Sequence, residues 1–221
     1  MTPSGRQLAQ DRPIAPIAVS KFCRRYANLR DNALIAEAYR RFPYYAIRSE
    51  IIEKVLPDED SRQRIAEARP SHSEPGLLTI GYEGKCLEEY LNQLIQAGVN
   101  ILCDVRQNPL SRKYGFSKGT LSKACDGVGI RYEHVPELGI ASDQRRNLKT
   151  QADYDALFAG YVRTTLPHKQ TSLARIRQWV VDDQHRVALT CFEQLPHQCH
   201  RHCVAKALEQ HGGRNLAVTH L

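Results

Sequence analysis

Aromatic side chains are scarce in this 221-residue chain: they make up 7% of it, with one tryptophan, and there is one methionine. No apolar run approaches the roughly 18 residues that a helix needs to cross a bilayer. The longest near the start, Ile14 to Val19, is interrupted by Pro16. The N-terminus lacks the basic-then-apolar layout of a secretory signal. These absences exclude a membrane-spanning protein, a collagen and a coiled coil, and no membrane partner is expected. Evenly spaced cysteines are also missing. The seven cysteines sit beside apolar residues, as in Leu102-Cys103 and Cys191-Phe192, which argues against a secreted disulfide scaffold and predicts reduced thiols in the cytoplasm.

What is present suits a globular protein. Apolar residues reach 42%, and the length allows one domain plus a small appendage. The formal net charge is +7, and its placement is uneven. Residues 105–149 carry nine Lys and Arg against four Asp and Glu. Such an excess points to an anionic partner, either a phosphorylated small molecule or nucleic acid; the alternative is a solvated basic surface.

Residues 1–19 read as a flexible tail. Residues 20–70 carry a helical pattern, with Leu29, Ala33, Ala36 and Tyr39 at helical spacing and Pro43 and Pro57 as punctuation. Residues 69–76 have the composition of a linker. Beyond it, from 77 to 221, the pattern alternates. Short apolar runs at 77–81, 99–105, 130–135, 187–192 and 216–220 read as strands. Helical stripes lie between them at 87–98, 118–127, 154–166, 172–181 and 199–210. This alternation predicts an α/β fold, with a mainly parallel sheet of about five strands flanked by helices and a helical segment before it. Ligands of such sheets bind beyond the carboxyl ends of the strands. Every expected strand end carries glycine, polar or reactive residues: Gly81, Tyr82, Glu83 and Gly84; Asp104, Arg106, Pro109, Ser111 and Arg112; Glu137; Glu193, Cys199, His200 and Arg201.

The segments TIGYEG, LCDVRQNPLSRKYGFSK, YEHVPELGIAS, RRNLKT and LTCFEQLPHQCHRH, in that order, resemble the DUF488 family over roughly residues 77–221. Cys199, His200 and Arg201, preceded by Glu193 and Pro196, carry the resemblance most specifically, and Asp104-Val-Arg106 comes second. The resemblance implies an α/β domain and no particular activity. Residues before 70 lie outside it.

Cys199 is the sharpest candidate. The last helix is expected to begin there, and a helix start beside His200 and Arg201 stabilises a thiolate, so its thiol pKa is expected to be lowered. It is a candidate nucleophile; the alternative is a buried packing residue. His200 and Arg201 suit an anion. Asp104 and Glu193 are candidates for acid–base work, and Glu83 and Glu137 for ligand recognition; all four also suit salt bridges that hold loops. Gly81–Gly84 is too short for a dinucleotide fingerprint and lacks the end of a P-loop, so no cofactor is expected. Ser111–Lys118 interleaves basic and aromatic residues, which suits phosphate contact with base stacking. Cys199 and Cys203, with His202 and Cys191, are a weaker zinc candidate because no C-x₂-C pair is present, and no metal is expected. Cys23, Cys86, Cys103 and Cys125 read as packing residues. The basic residues before 70, Arg40 and Arg41 among them, fit a helical cap or dimerisation element better than a nucleic-acid surface. Two functions remain open: an enzyme acting on a nucleotide or nucleic-acid component, or a non-catalytic nucleic-acid-binding or regulatory module.

Overall fold

The computed structural model describes residues 24, 26–47, 49–69, 74–141, 143–145, 148–210 and 216–221. The expected tail, Cys23 and Arg146 lie outside them. The chain divides into two units between Ala68 and Arg69.

In the first unit, α1 (Asp31–Arg41), α2 (Ile52–Val55) and α3 (Glu59–Glu67) surround a small apolar core of Ala36, Ala46, Val55, Leu56 and Ile65. Asp58 caps α3 by accepting the Ser61 amide at 2.9 Å, which satisfies one of the donors that a helix start leaves open. Arg40 pairs with Asp58 at 3.2 Å, and Arg41 donates to the Tyr26 hydroxyl at 2.8 Å.

The second unit runs β1 (Gly76–Gly81), α4 (Leu87–Gln96), β2 (Ile101–Asp104), α5 (Lys118–Gly127), β3 (Arg131–His134), α6 (Gln151–Gly160), α7 (Gln170–Val181), β4 (Arg186–Cys191), α8 (Arg201–Gln210) and β5 (Val218–His220). The five strands form one sheet in the order β3-β2-β4-β1-β5, every pair parallel. The α/β expectation is met, with eight α-helices among the described residues. β1, β2 and β4 are buried on both faces, which is why they read as unbroken apolar runs.

Alternate strand residues face opposite sides. Leu77, Ile101, Cys103, Val187 and Leu189 pack with Phe158, Tyr161, Trp179, Val204 and Leu208 of the segment after β3 and of α7 and α8. On the opposite side the buried Tyr90 hydroxyl of α4 donates to Thr190 Oγ1 at 2.6 Å. The connections leave the adjacent strands β1 and β4 in opposite directions, toward β2 and β5. That is the arrangement that opens a crevice at the carboxyl edge of a parallel sheet.

Two helix starts and the role of Cys86 differ from the sequence pattern. Thr150 and Asp153 form a reciprocal cap that starts α6 at Gln151, before the apolar stripe begins. The helix then widens into a π turn at Tyr161–Thr165. Cys86 is not a packing residue: it is exposed and caps α4 in a reciprocal pair with Glu89. Finally, α8 begins at Arg201, because a 3₁₀ turn at Pro196–Gln198 is followed by extended backbone at Cys199 (φ −138°, ψ 135°).

Candidate functional site

Two polar clusters sit at the carboxyl edge of the sheet, and period-two alternation assigns them to opposite faces. The first centres on Asp104, the last residue of β2, which is fully buried. Its Oδ2 accepts Arg106 Nη2 at 2.6 Å and the Tyr132 hydroxyl at 2.6 Å; its Oδ1 accepts Arg106 Nε at 2.9 Å and the Arg106 amide at 3.1 Å. Arg106 Nη1 donates onward to the Tyr82 hydroxyl at 2.7 Å and to the Phe116 carbonyl at 3.0 Å. Burial opposes the guanidinium charge, but the Asp104 contacts outweigh it and raise the Arg106 pKa. Burial and Asp104 likewise raise the Tyr132 hydroxyl, which keeps it a donor. Tyr82 stacks on Phe116 at 4.4 Å.

The second cluster lies on the α8 side. Cys191 Sγ, at the end of β4, is 3.5 Å from Glu193 Oε2 and 3.7 Å from His200 Nδ1. His200 Nε2 lies 2.9 Å from the Val105 carbonyl. Glu193 Oε1 pairs with Arg145, which reaches in from the loop before α6. Arg201 is wholly buried and donates to the carbonyls of Glu193 and, at 2.8 Å, Gln194. No carboxylate pairs with it among the described residues, and its Nε has no partner. It clamps the 193–194 loop from inside. Glu83 locks the same loop, accepting the Gln194 amide at 3.0 Å.

Above these clusters lies a cavity of about 580 Å³. Tyr82, Arg106, Ser111 and Arg112 line it, as do Lys113, Arg145 and Phe192. The cations differ in their commitments. Lys113 Nζ donates to the Tyr82 carbonyl at 3.0 Å, and Arg145 is held by Glu193. Arg112 is exposed and has no partner among the described residues.

The chain matches the family described as "Domain of unknown function DUF488" over residues 86–208, more than half of its length. It belongs to the DUF488 family. No curated protein and no solved structure matches it. The DUF488 match includes Asp104, Arg106, Arg145, Glu193, Cys199 and His200. It stops short of β1, so Gly81, Tyr82, Glu83 and Gly84 are placed at the site by the fold.

Of the residues expected to touch ligand, the structure puts Tyr82, Arg106, Ser111 and Arg112 on the 580 Å³ cavity. The others serve differently. Gly81 and Glu83 hold the Glu193–Gln194 loop against β1. Gly84 turns the chain at φ +77°. The Pro109 carbonyl accepts the Lys118 amide at 2.9 Å, and Glu137 is exposed away from the cavity lining. Asp104, Glu193, Cys199, His200 and Arg201 lie behind the cavity wall. Gln107 and Phe192 also lie on the wall without a role assigned from the sequence, although Phe192 directly follows the β4 end and Gln107 lies three residues beyond the β2 end. In the sequence Arg145 is one of the basic residues of 105–149; its carboxylate partner stands 48 positions away.

Cys199 departs from expectation. It lies two residues before α8 rather than in its first turn, and its thiol is 1% exposed. Burial, then contact with Cys191, pushes its pKa well up rather than down; His200 opposes this without reversing it. Among the described cysteines only Cys86 is exposed. Among the described cysteines, iodoacetamide at neutral pH should therefore modify Cys86 first and Cys199 at least tenfold more slowly. Peptide mass spectrometry over a time course reads this order, and early Cys199 labelling would contradict it.

A second cavity, of about 700 Å³, lies between α6, α7 and α8 and is mostly apolar. Phe158, Leu173, His202, Cys203 and Lys206 line it. His202 and Cys203 line this cavity, and His202 Nδ1 sits 2.6 Å from the Cys199 carbonyl.

Proposed function

We propose that this DUF488 protein is an enzyme acting on a nucleotide or a nucleic-acid component bound in the 580 Å³ cavity. The observation that carries the reading is the convergence of Arg112, Lys113 and Arg145 on one concave site at the strand ends, with a thiol–imidazole–carboxylate cluster behind Arg145. The volume lies within the range of about 300–1,000 Å³ usual for small-ligand sites. The cations suit a phosphate. The faces of Tyr82 and Phe192 suit a base, and the amides of Gln107 and Asn108 suit hydroxyl or base edges.

Arg145 couples ligand to chemistry. An anion at Arg145 competes with Glu193 for the guanidinium and frees the Glu193 carboxylate as a base beside Cys191. Asp104 acts through Arg106 as a positioning residue, since both of its oxygens are occupied.

The test is calorimetric titration of the purified chain with AMP, ATP, inorganic phosphate and a short oligonucleotide. Binding of a mononucleotide is expected. Arg112→Ala should weaken it about tenfold, the worth of one charge-assisted hydrogen bond. Absence of binding by all four probes defeats the reading.

One observation favours the non-catalytic module instead: Leu110 and Tyr114 flank Arg112 and Lys113 and are 75% and 88% exposed, which offers an apolar contact and one ring for base stacking with basic neighbours. That reading predicts oligonucleotide binding that falls steeply with salt and no affinity for AMP.

A further inference from the structure

We propose that Cys191, Cys199 and His200 form a binding site for a thiophilic divalent cation, with zinc the best fit, in which two thiolates and one imidazole nitrogen leave a fourth position open. The three residues are buried, and their ligand atoms all lie within 4.8 Å of one another. Cys191 Sγ and His200 Nδ1 are 3.7 Å apart. Zinc bonds of about 2.3 Å to sulfur and about 2.0 Å to nitrogen, in a tetrahedron, place such donors about 3.6 Å apart.

The imidazole is oriented for the task. Its Nε2 lies 2.9 Å from the Val105 carbonyl, which can only accept, so Nε2 carries the proton and the Nδ1 lone pair points at the sulfurs. A backbone carbonyl on the second ring nitrogen is one of the partners that orient metal-bound histidines. The donors also sit on fixed backbone: Cys191 ends the buried strand β4, and Cys199 and His200 lie between a 3₁₀ turn and α8.

Charge selects the ion. Two thiolates and a divalent cation sum to zero, and a neutral site is what a buried pocket tolerates. Calcium and magnesium require oxygen ligands, which this cluster lacks. Binding exchanges the two cysteine protons for the metal, so two protons leave for each ion bound. Glu193 Oε2, 3.5 Å from Cys191 Sγ, lies beside the cluster, where it can accept a hydrogen bond from a metal-bound water. The grouping differs from the one the sequence suggested: His200 joins the two cysteines, whereas Cys203 and His202 line the other cavity.

Metal uptake does not require the nucleotide cavity to be filled, so this proposal and the proposed function fail separately. The test is titration of reduced, chelator-treated full-length chain with Co(II), followed by optical absorption. Expected are one Co(II) per chain, sulfur-to-cobalt charge-transfer absorption in the near ultraviolet, and loss of that band on adding Zn(II). Cys191→Ser and Cys199→Ser should each abolish the band and His200→Gln should weaken binding at least tenfold, while Cys23→Ser and Cys203→Ser retain it. No charge-transfer band in the reduced wild-type chain overturns the proposal, as does a band that survives Cys199→Ser. Because the wild-type titration decides, a variant that fails to fold leaves the proposal falsifiable.

Discussion

Asp104→Ala is expected to cost about 3–5 kcal/mol of folding stability, the usual penalty for leaving a buried charge without its partner. Arg106 is 5% exposed and directs Nε, Nη2 and its own amide to Asp104. Without the carboxylate, the guanidinium keeps one hydroxyl and one carbonyl acceptor, and the Tyr132 hydroxyl loses its acceptor too. Both partners can instead be made apolar. Asp104→Leu combined with Arg106→Met removes the charge and its counter-charge together, and should recover most of the loss while emptying the cavity wall of Arg106. Urea denaturation of the two variants separates these effects. A loss below about 1 kcal/mol for Asp104→Ala would show that the pair does not hold the β2 end.

Gly81→Ala is expected to be nearly as damaging, for a steric reason. A methyl group at Gly81 would stand 1.9 Å from the Glu193 carbonyl oxygen and 2.7 Å from its carbon. Backbone cannot rotate aside as a side chain can, so the 193–194 loop must move and loosen its hold on Arg201 and Glu83. Overpacking of this kind costs about 1–3 kcal/mol or more. It should also release Arg145 from Glu193, so AMP affinity should change together with stability. Gly119→Ala is the control: nothing lies within 4 Å of the added carbon, and the site is helical. It should stabilise by about 0.5–1 kcal/mol. Equal Tm values for Gly81→Ala and wild type would refute the packing argument.

Much of this architecture was legible in the residues. The runs ending in Gly81, Asp104 and Cys191 are unbroken because the strands are covered on both faces, and the spacing of Leu87, Leu91, Leu94 and Ile95 marks α4 as a helix between them. A parallel sheet followed from that alternation, and with it the edge where polar residues gather.

What the residues could not decide is which of those polar groups meet. Asp104 and Cys191 end adjacent strands, yet they belong to different clusters, because register pairs Asp104 with Thr190 and so places Cys191 on the opposite face. Arg145 and Glu193 find each other across 48 residues with no local signal. His200 rather than His202 joins the cysteines because the 3₁₀ turn delays α8 to Arg201, and that delay also buries Cys199 instead of exposing it at a helix start. Local periodicity is written in the chain and determined the elements and the edge that carries the site. Strand register, helix phase and the close approach of backbone at Gly81 arise only when distant segments pack, so the tertiary structure alone decided the grouping of the reactive side chains.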